Sequence, residues 1–114
     1  MDQAQADLPA DALRLRDAVA RRLHDVYHVQ IPRLAESKDL SDYEAELHET
    51  LQRIASLVQQ MADDMDDAES AAERAALKTM VDTQRNELTR VRQASRRALL
   101  AAHRAAVSRQ QASA

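Results

Sequence analysis

The absence of glycine is the feature that most restricts how this chain can fold. None of its 114 residues is glycine, and Pro9 and Pro32 are its only prolines. Tight β-hairpins need residues that tolerate positive φ, and strands favour β-branched and aromatic side chains. The chain has two tyrosines but no Phe or Trp, and it is rich in Ala, Leu, Arg, Gln and Glu, which are strong helix formers. The sequence therefore predicts an all-α fold.

Apolar side chains recur at every third or fourth position along three stretches of the chain. They predict helices over about residues 8–36, 42–64 and 68–108. We expect three long antiparallel helices in a single domain, as a helical hairpin or bundle. Because proline lacks an N–H and crowds the preceding turn, the first helix should be kinked near Pro32, or should end there and be followed by a short second piece. Residues 1–7 are expected to be a disordered tail, and residues 109–114 a frayed one.

The second and third helices each contain a seam of inward positions spaced 4 and 3 residues apart, which is the heptad spacing of packed helices. The seam of the second helix consists of Leu47, Leu51, Ile54, Val58, Met61 and Met65. That of the third consists of Leu77, Val81, Gln84, Leu88, Val91, Ser95, Ala98, Ala102 and Ala105. The third seam weakens toward its end, where Ser and Ala replace large side chains.

An acidic segment separates these two helices. We expect a turn near residues 64–70, with Asp66 and Glu69, or Ser70 and Glu73, as alternative capping pairs for the third helix. Because neither Gly nor Pro occurs here, one continuous helix over 42–108 is the alternative.

The net charge changes sign along the chain. Residues 1–76 have 8 Lys/Arg and 17 Asp/Glu, a net charge of −9, whereas residues 77–114 have 8 Lys/Arg and 2 Asp/Glu, a net charge of +6. Such a division favours an acidic partner or intramolecular packing.

Enzymatic chemistry and cofactor binding are not expected. Without cysteine there is no thiolate nucleophile, and without glycine there is no glycine-rich phosphate loop. His24 and His28 lie one helical turn apart, a spacing that can bind zinc, but no third ligand is evident, so we expect no metal site. The arginines of the third helix are spread around its axis and no aromatic lies among them, which argues against nucleic acid.

The segment 85–107 resembles the N-terminal region of the "Secretory protein twenty" family, the Qb-type SNAREs of the endoplasmic reticulum (ER) in Golgi-to-ER retrograde transport. The resemblance is strongest at Arg96, Arg97, Ala98 and Leu100, and it includes Arg85-Asn86-Glu87-Leu88 and His103-Arg104-Ala105-Ala106-Val107. The preceding layout from residue 44 is also similar: a heptad helix, an acidic break and an arginine-rich helix.

This resemblance implies a cytosolic N-terminal domain at the ER membrane that binds a helical subunit of a Dsl-type tethering complex. The parent protein would continue into a SNARE helix, which binds other SNAREs, and a C-terminal membrane anchor; this fragment itself would not contact the membrane. We predict that the partner contacts Arg92, Arg96, Arg97, Leu99 and Leu100. Exposed apolar residues rimmed by arginines are typical of an interaction patch.

Two other interpretations stay open. The chain could be a structural coiled-coil subunit of another multiprotein assembly, of the tether or kinetochore type. Alternatively, the last helix could itself be a SNARE motif with Gln84 as its polar central layer, although the large apolar layers that such a motif needs are missing after Val91.

Overall fold

A computed structural model describes residues 8–36 and 40–113 of the chain, and within these ranges it contains helices and short connections but no strand. Four α-helices follow in chain order: α1 at Ala10–Asp25, α2 at Ile31–Glu36, α3 at Leu40–Asp64 and α4 at Ala71–Ser113. α1, α3 and α4 pack against one another, and α2 contacts both α3 and α4. The prediction of an all-α helical bundle is confirmed.

The first predicted helix is interrupted by a π-helical turn at Val26–Gln30, which joins α1 to α2. The N–H of Ile31 donates to the carbonyl of Val26, five residues back instead of four. Pro32 follows directly, has no N–H, and would crowd the carbonyl of His28 in a regular α-helix. The wider turn accommodates that carbonyl without ending the helix.

The acidic segment breaks the helix between α3 and α4, so residues 40–113 are not one continuous helix. Met65–Asp67 form a 3-10 turn and Ala68 is extended, after which α4 begins at Ala71. Of the two predicted capping pairs, Ser70 and Glu73 cap this helix. The N–H of Glu73 donates to Ser70 Oγ at 3.0 Å, and the carboxylate of Glu73 accepts the N–H of Glu69 at 2.6 Å. Two N–H groups that lack helical partners are thereby satisfied.

The predicted seams form most of the core. On α3, the first five seam positions are buried and Met65 is half-buried. On α4, seven of the nine are buried and Ala98 is half-buried, but Ala105 is exposed. α1 and the π turn add Val19, Leu23 and Val26 to the core, α2 adds Leu34, and α4 adds Met80 outside its seam.

The molecule is a rod with extents of 65 × 24 × 17 Å. At 1.5 Å per residue, the 43 residues of α4 span about 65 Å, so this helix alone accounts for the long axis. α4 continues through Ser113, five residues beyond the predicted end at 108, over most of the segment expected to fray. The predicted tail at 1–7 lies outside the described residues. No helix within the described ranges is long and apolar enough to cross a membrane.

Candidate functional site

A groove of about 360 Å³ lies between α3 and α4 and contains most of the predicted partner-binding residues. We call it the α3–α4 groove. Its α4 wall consists of Arg92, Ser95, Arg96, Leu99, Leu100 and His103. Its α3 wall consists of Glu44, His48, Leu51 and Gln52.

Helical periodicity explains why these residues share one groove. The α4 residues are spaced 3, 1, 3, 1 and 3 positions apart, and the α3 residues 4, 3 and 1 apart. Both patterns describe one stripe of an α-helix. Ser95 and Leu51 belong to the buried seams, whereas the other residues lie beside the seams toward solvent. The groove is therefore the outer edge of the α3–α4 interface, with buried residues at its floor and polar ones at its rim.

The structure brings together four of the five predicted residues and separates the fifth. Leu99 is half-buried and packs against the core, whereas Leu100 is 52% exposed. Arg92 and Arg96 are exposed at the rim. Arg97 is also exposed but does not line the groove. At about 100° per residue, Arg97 follows Arg96 on the side opposite to Ser95, so it falls outside the stripe.

Ser95 at the floor of the groove has an unsatisfied hydroxyl. The residue is 2% exposed, and its Oγ has no hydrogen-bond partner among the described residues. Hydroxyls inside helices commonly bond to the carbonyl four residues back. Thr79, Thr83 and Thr89 do so on the same helix, at 3.0 to 3.1 Å. The Ser95 hydroxyl is thus buried without a hydrogen-bond partner in the described part of the free domain.

The charges of the groove are unevenly paired. His103 Nε2 donates to Glu44 Oε1 at 3.2 Å and joins the two walls. By contrast, Arg92 and Arg96 form no ion pair with any carboxylate of residues 8–36 and 40–113. Elsewhere on α4, Lys78 pairs with Asp82 at 2.9 Å and Arg90 with Glu87 at 3.1 Å. The rim therefore retains uncompensated positive charge above a partly apolar floor.

Sequence reasoning did not identify the α3 wall of the groove. Glu44, His48 and Gln52 follow one another at intervals of four, directly beside the seam residues Leu47 and Leu51. This spacing marks a polar stripe that flanks a seam, but it does not indicate which other helix the stripe faces. That information comes only from the packing of α3 on α4.

The histidine pair on the first helix shows no metal-binding geometry beyond its spacing. The rings of His24 and His28 have centroids 4.3 Å apart, and both side chains are exposed. Within the described part of the chain, no group of three or more His, Cys, Asp or Glu residues could hold a metal ion.

Comparisons with protein-family models, curated proteins and solved structures found no match to this chain.

Proposed function

We propose that this chain is a helical interaction domain that docks a helix of another protein into the α3–α4 groove. The observation that carries the proposal is Leu100. This leucine is 52% exposed beside the unpaired Arg92 and Arg96, at a groove with Leu51 and Leu99 in its walls. Helix-in-groove recognition uses apolar anchors at helical spacing, surrounded by a polar rim.

The proposal includes the finer arrangement of the bundle, in which α1, α3 and α4 alternate in direction as an antiparallel hairpin with a third helix. Contact between Glu44 in the first turns of α3 and His103 late in α4 supports this for one pair of helices. For the other pair, Asp11 and Arg14 at the start of α1 share a surface cleft with Gln60 and Asp64 at the end of α3. The π turn before Pro32 is where the proposed kink of the first helix would lie.

A narrower version of the proposal names the partner. In that version the chain is the N-terminal domain of an ER SNARE at the cytosolic face of the ER membrane, and the docked helix belongs to a subunit of a Dsl-type tethering complex. It rests on the resemblance over residues 85–107 alone. The rival proposal, a structural coiled-coil subunit of another assembly, would place the chain's permanent contacts along its exposed surface instead of in one groove.

Two matched pairs of variants test whether the groove docks a helix. Leu100→Ser removes an apolar side chain from the groove, and Val107→Ser makes the same type of change at a residue that is 51% exposed on α4 but outside the groove. Arg96→Glu reverses a charge at the rim, and Arg97→Glu reverses the neighbouring charge outside it. All four residues are exposed, so each variant should retain the helical fold.

Binding is measured by calorimetry against helical tethering subunits and against a designed amphipathic helix with a leucine stripe. Docking in the groove predicts weaker binding for Leu100→Ser and Arg96→Glu and parental binding for their controls. Equal effects within each pair would contradict the proposal, and the contact would then be sought on the first helix around Leu13, Arg16 and Tyr27. Binding of the designed helix without binding of any tethering subunit would contradict the ER version alone.

A further inference from the structure

We infer that the α3–α4 groove selects an acidic amphipathic helix, whose carboxylates, spaced one turn apart, pair with Arg92 and Arg96 while a polar acceptor reaches Ser95. This inference rests on the proposed function and specifies the chemistry of the partner. The observations behind it are the unpaired arginines, their spacing and the unsatisfied hydroxyl between them.

The first step concerns charge. Arg92 and Arg96 are four residues apart on α4, which places their Cβ atoms about 6 Å apart on one side of the helix. Neither pairs with a carboxylate of the described chain, while the one carboxylate of the groove, Glu44, already contacts His103. A partner helix with Glu at positions i and i+4 presents carboxylates at the matching spacing. Arginine binds carboxylates through two parallel hydrogen bonds, which favours a defined orientation.

The second step concerns the hydroxyl of Ser95. This residue lies between the two arginines in sequence, at the floor of the groove, and its Oγ is buried without a partner. A buried hydroxyl without a hydrogen bond destabilises the free domain. A ligand group that accepts its hydrogen bond removes that cost in the complex. Ser95 is therefore expected to lower the stability of the free chain and to raise its affinity for a helix with a well-placed acceptor.

The third step concerns the class of partner. The walls of the groove contain three leucines and no aromatic side chain, so they offer apolar contacts but no platform for stacking a base. Leu51, Leu99 and Leu100 can contact aliphatic side chains of a partner helix. An apolar stripe flanked by carboxylates matches this floor and this rim together.

The test uses three synthetic helices with one leucine stripe and with Glu, Gln or Lys at the two flanking positions spaced i and i+4. Affinity for the full chain is measured by fluorescence anisotropy at low and high salt. We expect the Glu helix to bind about tenfold more tightly than the Gln helix, and the Lys helix to bind most weakly. The preference should shrink at high salt because the rim is exposed to solvent. Arg92→Glu with Arg96→Glu should reverse the order of the Glu and Lys helices.

Ser95→Ala separates recognition from packing. We expect its melting temperature to rise while its affinity for the Glu helix falls about fivefold. If Ser95 served packing alone, Ser95→Ala would lower the stability of the chain without specifically lowering its affinity for the helix. This result would overturn the role given to the hydroxyl.

Equal binding of the Glu and Gln helices, or tighter binding of the Lys helix, would overturn the acidic specificity while leaving helix docking intact. If none of the three helices binds, the proposed function itself fails.

Discussion

Glu44 and His103 lie 59 residues apart in the chain, yet the Nε2 atom of His103 is 3.2 Å from the Oε1 atom of Glu44 in the folded domain. The pair joins the first turns of α3 to the late part of α4. Both residues line the α3–α4 groove, where Glu44 is the one carboxylate among the groove residues. Its negative charge therefore opposes the positive rim formed by Arg92 and Arg96.

Replacing Glu44 by Gln should strengthen the binding of an acidic helix. Removing a like charge from the groove reduces repulsion, and we expect affinity for the Glu-flanked helix to rise about threefold. Stability should change by less than about 1 kcal/mol, because the contact with His103 is partly exposed. Glu46→Gln is the control, since Glu46 lies on α3 in the separate cleft toward α1. Weaker binding of Glu44→Gln would show that the carboxylate takes part in recognition.

The second prediction concerns the centre of the α3 seam. Ile54 is fully buried, so Ile54→Asp places a charge in an apolar core without a partner. We expect a loss of about 4 kcal/mol or more and no cooperative thermal transition by circular dichroism. Ser56→Asp adds the same side chain at an exposed position of the same helix and should melt like the parent. Parental melting of Ile54→Asp would mean that this stripe does not form the core.

Gln84 offers a test in the opposite direction. It is a buried member of the α4 seam, and its Oε1 has no partner among the described residues. Gln84→Leu should therefore stabilise the chain by about 1 kcal/mol, which corresponds to a rise of about 4 °C in melting temperature. Gln93→Leu, at an exposed position of α4, controls for the gain in helix propensity. A destabilised Gln84→Leu would indicate that the amide serves the packing of the three helices.

The histidine pair provides a prediction about metal. We expect His24→Ala with His28→Ala to leave both the thermal transition and helix binding unchanged, since both rings are exposed and distant in sequence from the groove. A chelator should also leave the circular dichroism spectrum of the parent chain unaltered. Stoichiometric zinc in the purified protein, lost in the double variant, would instead establish a metal site at this pair.

Local rules account for the parts of the fold that sequence reasoning predicted. Without glycine the chain lacks the residue best suited to tight β-turns, and its abundant helix formers favour helices. The buried positions of α3 and most of those on α4 follow from heptad spacing, as Ile54 and Val91 illustrate. The break before α4 was predicted from the acidic segment, yet the choice of Ser70 with Glu73 over Asp66 with Glu69 depended on which residue adopts the cap conformation.

Helical periodicity shows from the sequence alone which side chains lie on one face of each helix, because that relationship depends only on 3.6 residues per turn. It therefore placed Arg92, Arg96, Leu99 and Leu100 together. The packing of α3 on α4 is needed to show that Glu44, His48 and Leu51 face them and that Ser95 is buried without a partner. The physical reason is that contacts between helices depend on their relative rotation and axial position. Packing of the whole core sets both, and no short stretch of sequence encodes either one.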